Sequence, residues 1–148
     1  DTQALQALPL GTEADVQGPH LGFLSHRPAT AQLWVAGGIG ITPFLAELRS
    51  SVLTQPTRLI YLAHSRAQAA YADELDALAR QQPCLQFELV LTAGDNPDPV
   101  SLLPTATELA GQTCYLCGPP GMTDSFIRAL RSRGVPNDRI HFERFDYR

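Results

Sequence analysis

The sequence predicts an α/β fold in which a five-stranded, mainly parallel sheet is flanked by helices. Two observations lead to this prediction. From residue 31 onward, short apolar runs of strand length alternate with segments of helical spacing, and such alternation requires crossover connections between parallel strands. The chain has 148 residues, of which 44% are hydrophobic, and this is enough for one domain with a buried core.

The predicted elements follow one another in a regular order. Five runs have strand character, at 31–36, 58–63, 85–91, 113–117 and 139–143. Three segments place apolar residues on one helical face, at 42–53, 68–81 and 122–133. A looser, proline-containing stretch extends to about residue 111. Because helices that connect parallel strands cover both faces of the sheet, the architecture is expected to be Rossmann-like.

Residues 1–30 do not continue this pattern. They hold one short β-like run, at 13–17, and no helical segment. Such a stretch is too short to bury a core of its own. We therefore predict that residues 1–30 are the trailing edge of another domain plus a linker at 25–30, and that residues 31–148 form the α/β domain.

The composition excludes several classes of function. The formal net charge is −4, and all 11 basic residues are arginines. A chain without lysine has no phosphate-loop NTPase site and no Schiff-base lysine. The acidic balance argues against a nucleic-acid partner. No run approaches the roughly 20 apolar residues that span a bilayer.

The cysteines do not indicate a redox or metal site. Cys114 and Cys117 form a C-x-x-C pattern, but they lie in a predicted strand. Three residues of strand separate their Cα atoms by about 10 Å and turn the two side chains to opposite faces. The four histidines have no metal-ligand spacing either. We expect reduced cysteines and no metal.

The most informative segment is the glycine loop that follows the first strand, at 37–43. Gly37, Gly38 and Gly40 let backbone N–H groups approach a ligand closely. Thr42 is predicted to be the N-cap of the next helix and Pro43 its first residue. A helix N-terminus carries partial positive charge and free N–H donors, so the segment predicts a pyrophosphate-binding site.

A second loop of this kind, 118–121, follows the fourth strand. It begins at Gly118, directly after Cys117. Two loops at the carboxyl ends of parallel strands flank a crevice, which is where open α/β sheets bind ligands.

The end of the second strand bears on the choice of coenzyme. Dinucleotide-binding folds usually place an acid there for the ribose hydroxyl, whereas this strand ends in His64, Ser65 and Arg66. An arginine near the ribose favours the 2′-phosphate of NADP(H). A solvated arginine in a loop is the alternative, so NAD(H) stays open and NADP(H) is slightly favoured.

Three ordered motifs, AGGIGITPFLAEL, CGPPGM and IHFERFDYR, resemble the C-terminal, NADP-linked domain of the ferredoxin–NADP reductase superfamily. The resemblance is strongest to its ferric reductase and NADPH oxidase dehydrogenase branch, and it covers residues 31–148. It implies a flavin-dependent oxidoreductase module that binds NAD(P)H and passes hydride to FAD, for onward electron transfer to haem, ferric iron or oxygen.

The resemblance also implies roles for individual residues. Cys117 and Glu143 would flank the hydride-transfer position, and Phe145 would cover the flavin ring. The coenzyme would contact residues of both loops, of the second strand's end and of the C-terminus, namely Gly37, Gly38, Ile39, Gly40, Thr42, Pro43, Ser65, Arg66, Tyr71, Cys117, Gly118, Pro119, Met122 and Phe145. Members that prefer NADPH often carry a further basic residue near the tyrosine; none stands beside Tyr71, which weakens the case for NADP(H).

One feature of the family is missing from these 148 residues, the Arg-x-[Tyr/Phe]-[Ser/Thr] flavin motif. We therefore expect FAD to be held mainly by an upstream flavin domain of a longer protein. The resemblance implies a cytoplasmic domain, and analogy alone suggests a membrane-anchored parent with a haem-containing membrane domain or another electron acceptor as partner. The alternatives are a nucleotide-binding regulatory module without turnover and a domain that binds another phosphate ligand.

Overall fold

The computed structural model describes residues 7–15, 23–24, 30–95 and 97–145. Its five strands are β1 (Gln32–Gly37), β2 (Thr57–Ala63), β3 (Leu85–Leu91), β4 (Thr113–Gly118) and β5 (Ile140–Arg144). Its five α-helices are α1 (Thr42–Ser50), α2 (Ala72–Gln81), α3 (Pro99–Leu102), α4 (Ala106–Leu109) and α5 (Pro120–Ser132). Short 3₁₀ turns lie at Gly38–Ile41, Arg66–Gln68 and Asn137–Arg139.

All strand pairs are parallel, and the strand order is β3-β2-β1-β4-β5. The chain therefore builds outward from β1 through β2 to β3, then returns to the other side of β1 for β4 and β5. The reversal places a topological switch point between β1 and β4, and the carboxyl ends of those two strands border the natural crevice of the fold. The predicted five-stranded parallel sheet is confirmed.

Two apolar layers cover the sheet, because successive side chains of each strand point to opposite faces. Trp34 and Tyr115 face a layer that includes residues of α1 and α2. Leu33 and Leu116 face a layer that includes residues of α5. Every residue of β1 and of β4 is buried, so the two strands beside the switch point are shielded from solvent along their whole length.

Several element boundaries differ from the prediction. The first helix ends at Ser50, the second begins at Ala72 behind a 3₁₀ turn, and the stretch before β4 contains the two short helices α3 and α4. Tight turns and side-chain caps set these limits. Asp98 accepts a hydrogen bond from Val100 at the start of α3, and helices this short lack the repeated apolar spacing on which the prediction relied.

Most of residues 1–30 lies outside the described residues, including 16–17 of the β-like run and 25–29 of the linker. Residues 13–15 form no strand, contrary to the prediction. Phe23 packs its ring edge-on against Phe44 and Tyr115, with centroids 5.6 and 5.7 Å apart. The segment before the sheet thus contributes an aromatic side chain to the α1–α2 face. The two-domain division stays a prediction.

Within the described ranges, no group of three or more histidine, cysteine or acidic residues could hold a metal ion. Across the same residues, every helix falls short of the length and apolarity that a membrane crossing requires. Cys114 and Cys117 are buried free thiols in opposite layers of the core, as the strand geometry predicted.

Candidate functional site

The loops that follow β1 and β4 are interlocked through their backbones. A Cβ atom built on Gly40 would lie 2.1 Å from the carbonyl oxygen of Cys117 and 2.9 Å from the backbone nitrogen of Gly118. No side chain fits there, so glycine at position 40 permits the close approach. The two loops predicted to flank a crevice are therefore in direct contact at its floor.

Met122, in the first turn of α5, closes the gap between the same loops. A Cβ atom on Gly37 would lie 2.4 Å from its Sδ atom, and one on Gly118 would lie 2.7 Å from its Cε atom. The flexible thioether therefore packs over both glycines. The structure brings Met122 to the ends of β1 and β4, and its predicted contact with the coenzyme stays a prediction.

The predicted cap at Thr42 is wrong. The chain leaves β1 through a 3₁₀ turn, in which Gly38 has a φ of 54° and Ile39 is about half exposed. Helix α1 has Ile41 as its N-cap residue, with Pro43 in its first turn. The Thr42 hydroxyl donates to the Ile39 carbonyl at 3.0 Å, so it stabilises the turn instead of accepting from an N–H group.

Cys117, Glu143 and Phe145 lie at the same edge of the sheet. Cys117 and Glu143 are register partners of β4 and β5. The backbone N–H of Phe145 donates to the Gly118 carbonyl at 3.3 Å, and its half-buried side chain packs against the same layer as Cys117. Beside them Arg144 forms an ion pair with Asp124 of α5, which links β5 to the helix that follows the second loop.

The thiol of Cys117 is protonated at physiological pH. Its side chain is fully buried. Burial, and secondarily the Glu143 carboxylate, raise the pKa of Cys117 to about 12. A neutral, buried thiol is a compact apolar group and not a nucleophile.

A cavity of about 780 Å³ opens at the carboxyl ends of β1 to β4. Its wall is mainly apolar and includes Pro119 and Met122 from the second loop. It is lined by Gly37, Gly38, Leu62, Ala63, His64, Gln68, Thr92, Pro97, Asp98, Pro99, Pro119, Gly121, Met122, Ser125 and Phe126. The lining residues at 92 and 97–99 belong to none of the motifs that predicted the site. The position of Thr92 directly after the third strand could have indicated that it lines the cavity, whereas nothing in the sequence indicated this for residues 97–99.

The third predicted group, Ser65, Arg66 and Tyr71, lies beyond the end of β2 and apart from the two loops. Arg66 and Tyr71 line a smaller cavity of about 420 Å³. Ser65 is half-buried and precedes the 3₁₀ turn, and its side chain makes no cap hydrogen bond. The Arg66 guanidinium forms ion pairs with Asp73 and Asp76 of α2, so it is already engaged with carboxylates.

Comparison with known proteins gives a family match over residues 34–127, to the oxidoreductase NAD-binding domain. The reductase component of propane 2-monooxygenase from Rhodococcus jostii (strain RHA1) is 28% identical, across 93% of this chain and 42% of that protein. The chain thus spans less than half the length of this relative.

Two solved structures are similar in fold. The Amycolatopsis cytochrome P450 reductase has a TM-score of 0.68 at 25% identity, across 86% of this chain and 42% of that one. The ferredoxin reductase in carbazole 1,9a-dioxygenase, in its FAD apo form, has a TM-score of 0.63 at 30% identity, across 81% and 37%. The resemblance to the ferredoxin–NADP reductase superfamily is confirmed, whereas the narrower ferric reductase and NADPH oxidase branch stays a prediction.

Proposed function

The chain belongs to the oxidoreductase NAD-binding domain family, and on that premise we propose that it binds NADH or NADPH across the crevice between β1 and β4 and presents the nicotinamide to FAD. The observation that carries the proposal is the interlocking of the 37–41 and 118–120 loops beside Cys117, Glu143 and Phe145. An open α/β sheet binds its ligand at this switch point.

The shape of the site fits a dinucleotide. The larger of the two cavities described above extends from Gly37 and Gly38, at the end of β1, to His64 and Gln68, beyond the end of β2. A Cβ atom on Gly38 would meet nothing within 4 Å, so the backbone of this residue is open to a ligand. An extended coenzyme would lie along the strand ends, with its pyrophosphate against the first loop.

In this proposal, each group of residues has a distinct task. The first loop holds the diphosphate through backbone N–H groups, and Met122 with Pro119 forms an apolar wall. Cys117, as a neutral and buried thiol, packs beneath the edge of the sheet where the nicotinamide ring would lie. Glu143 provides a carboxylate at the same edge, and Phe145 shields the flavin face. When bound, the coenzyme supplies a hydride and the flavin converts it to single electrons.

We extend the proposal to partners on the basis of the relatives. The relatives reported above include reductases of oxygenase systems and of cytochrome P450, one of them in an FAD apo form. We propose that FAD is held by a flavin domain that precedes this chain in the whole protein, and that a haem-containing domain or an oxygenase component receives the electrons. A membrane-anchored parent with this domain in the cytoplasm belongs to the same proposal.

The binding step is tested on the chain itself. Trp34, the only tryptophan in the sequence, is buried in β1 three residues before Gly37. Bound NADH should quench Trp34 fluorescence by energy transfer and show sensitised emission. Ser125→Phe, which fills the cavity, should weaken NADH binding at least about tenfold. The matched variant Ser132→Phe, at the exposed end of α5, should leave it unchanged; equal affinities for both variants would contradict the assigned crevice.

A further inference from the structure

The guanidinium groups of Arg49 and Arg66 already form ion pairs with carboxylates of α2. The Arg66 guanidinium donates to Asp73 and, at 3.1 Å, to Asp76. Arg49 makes a two-point contact with Glu74, with both N–H···O distances 2.7 Å, and its guanidinium also stacks over Tyr71, 5.2 Å from the ring centroid. All three carboxylates belong to the first half of α2.

Carboxylates outnumber guanidinium groups in this cluster, three to two. The carboxylates of Asp73 and Asp76 raise the pKa of Arg66, and the Arg49 guanidinium lowers the pKa of Glu74. Among the described residues that line the two cavities, Arg66 is the only arginine, and the sequence has no lysine. The surface formed by this cluster therefore carries excess negative charge.

Resting on the proposed function, we propose that Asp73 and Asp76 make the site selective for the coenzyme that lacks a 2′-phosphate, NADH over NADPH. A 2′-phosphate brings nearly two further negative charges and requires a free cation. Here it would have to displace carboxylates from Arg66 and would face their repulsion. A 2′-hydroxyl, by contrast, can donate a hydrogen bond to a carboxylate, as ribose hydroxyls do to the acid of NAD-binding folds.

Dinucleotide-binding folds place a ribose-binding acid at the end of the second strand. In this proposal, α2 supplies that acid. Asp73 is the better candidate for the ribose contact, since its side chain is 94% exposed, whereas that of Asp76 is 41% exposed. The ion pairs with Arg66 hold both carboxylates toward the loop. The proposal therefore reverses the NADP(H) preference that Arg66 suggested in the sequence.

The test compares 5′-AMP with 2′,5′-ADP as probes of the chain, by calorimetry at low ionic strength, with NADH and NADPH as the full ligands. The natural chain should bind 5′-AMP at least about tenfold more tightly than 2′,5′-ADP. The double variant Asp73→Asn/Asp76→Asn should tighten 2′,5′-ADP binding at least about tenfold, since it frees Arg66 for a charge-assisted contact. Adding Arg66→Ala to that variant should abolish the gain.

The matched control is Glu88→Gln, which removes a carboxylate about as exposed as that of Asp76 from the Arg58–Glu88 pair between β2 and β3. It should leave the ratio of the two affinities unchanged. A natural chain that prefers 2′,5′-ADP, or a double variant whose ratio does not move, would overturn the selectivity and leave the proposed function standing. A chain that binds none of the four nucleotides would overturn the proposed function itself.

Discussion

The close contact between the two loops makes Gly40→Ala the most informative single substitution. The added Cβ atom would lie 2.1 Å from the Cys117 carbonyl oxygen and 2.5 Å from its carbonyl carbon, whereas ordinary contacts begin at 3.4 Å. The loops must therefore separate by more than an ångström. The clash is between the added Cβ atom and backbone atoms of Cys117, so no side-chain rotation relieves it. We expect a loss of unfolding free energy of about 3 kcal/mol, at the upper end of overpacking costs.

Two glycines in the same region serve as matched controls. Gly38 has a φ of 54° but an open surrounding, so Gly38→Ala should cost about 1–2 kcal/mol from backbone strain alone. Gly121 lies in α5 with neither constraint, so Gly121→Ala should leave the stability unchanged or raise it by up to about 1 kcal/mol.

The assay is urea unfolding followed by Trp34 fluorescence and circular dichroism, combined with NADH titration of the folded variants. Displacement of the Cys117–Gly118 peptide should weaken NADH binding in Gly40→Ala. The reasoning is refuted if Gly40→Ala loses no more stability than Gly38→Ala.

The remaining predictions concern the cysteines. Disulfide reagents should label Cys84 alone in the folded chain, because Cys114 and Cys117 are fully buried; rapid labelling of all three thiols without denaturant would contradict the packing. The pKa of Cys117 rises from 9.0 in the unfolded chain to about 12 in the folded one, so its contribution to stability is complete below pH 9 and is lost as the pH rises toward 12. Between pH 8 and pH 10, urea unfolding should show the natural chain losing about 1.4 kcal/mol more than Cys117→Ala; equal losses would mean that Cys117 ionises in the folded state.

The fold was predictable because its two central strands, β1 and β4, are buried along their whole length and mainly apolar. Runs such as 31–36 and 113–117 read as buried parallel strands without reference to any partner. Their order in the sheet was less accessible from the residues, because a crossover returns the chain to the far side of β1. The sequence therefore predicted five parallel strands without an order for them.

The candidate site was predictable where it depends on strand ends, and not where it depends on contacts across the sheet. Gly37 and Gly118 follow their strands in the sequence, so their positions at one edge could be inferred. The N-cap at Thr42 could not be rejected from local sequence, since the 3₁₀ turn before it keeps Gly40 against the Cys117 carbonyl, a tertiary contact. Local preference for a cap yields to such packing.

The ion pairs of Arg66 with Asp73 and Asp76 are also contacts that the local sequence does not reveal. Asp73 and Asp76 lie in the segment of predicted helical spacing at 68–81, and nothing in that spacing indicates a contact with Arg66. Their approach to Arg66 depends on how α2 leaves the loop, through Tyr71 with a φ of 61°. This left-handed residue is uncommon outside glycine and is not signalled by the sequence around it.

The central claim is that this chain presents a nicotinamide to a flavin. Its most direct test is anaerobic stopped-flow reduction in the FAD-loaded protein that carries the proposed flavin domain, followed by flavin absorbance. NADH should bleach the flavin, the rate should fall when the transferred hydrogen is deuterium, and NADPH should be the poorer donor. Bound FAD that neither coenzyme reduces would contradict the claim, and it would favour a domain that binds nucleotide without turnover.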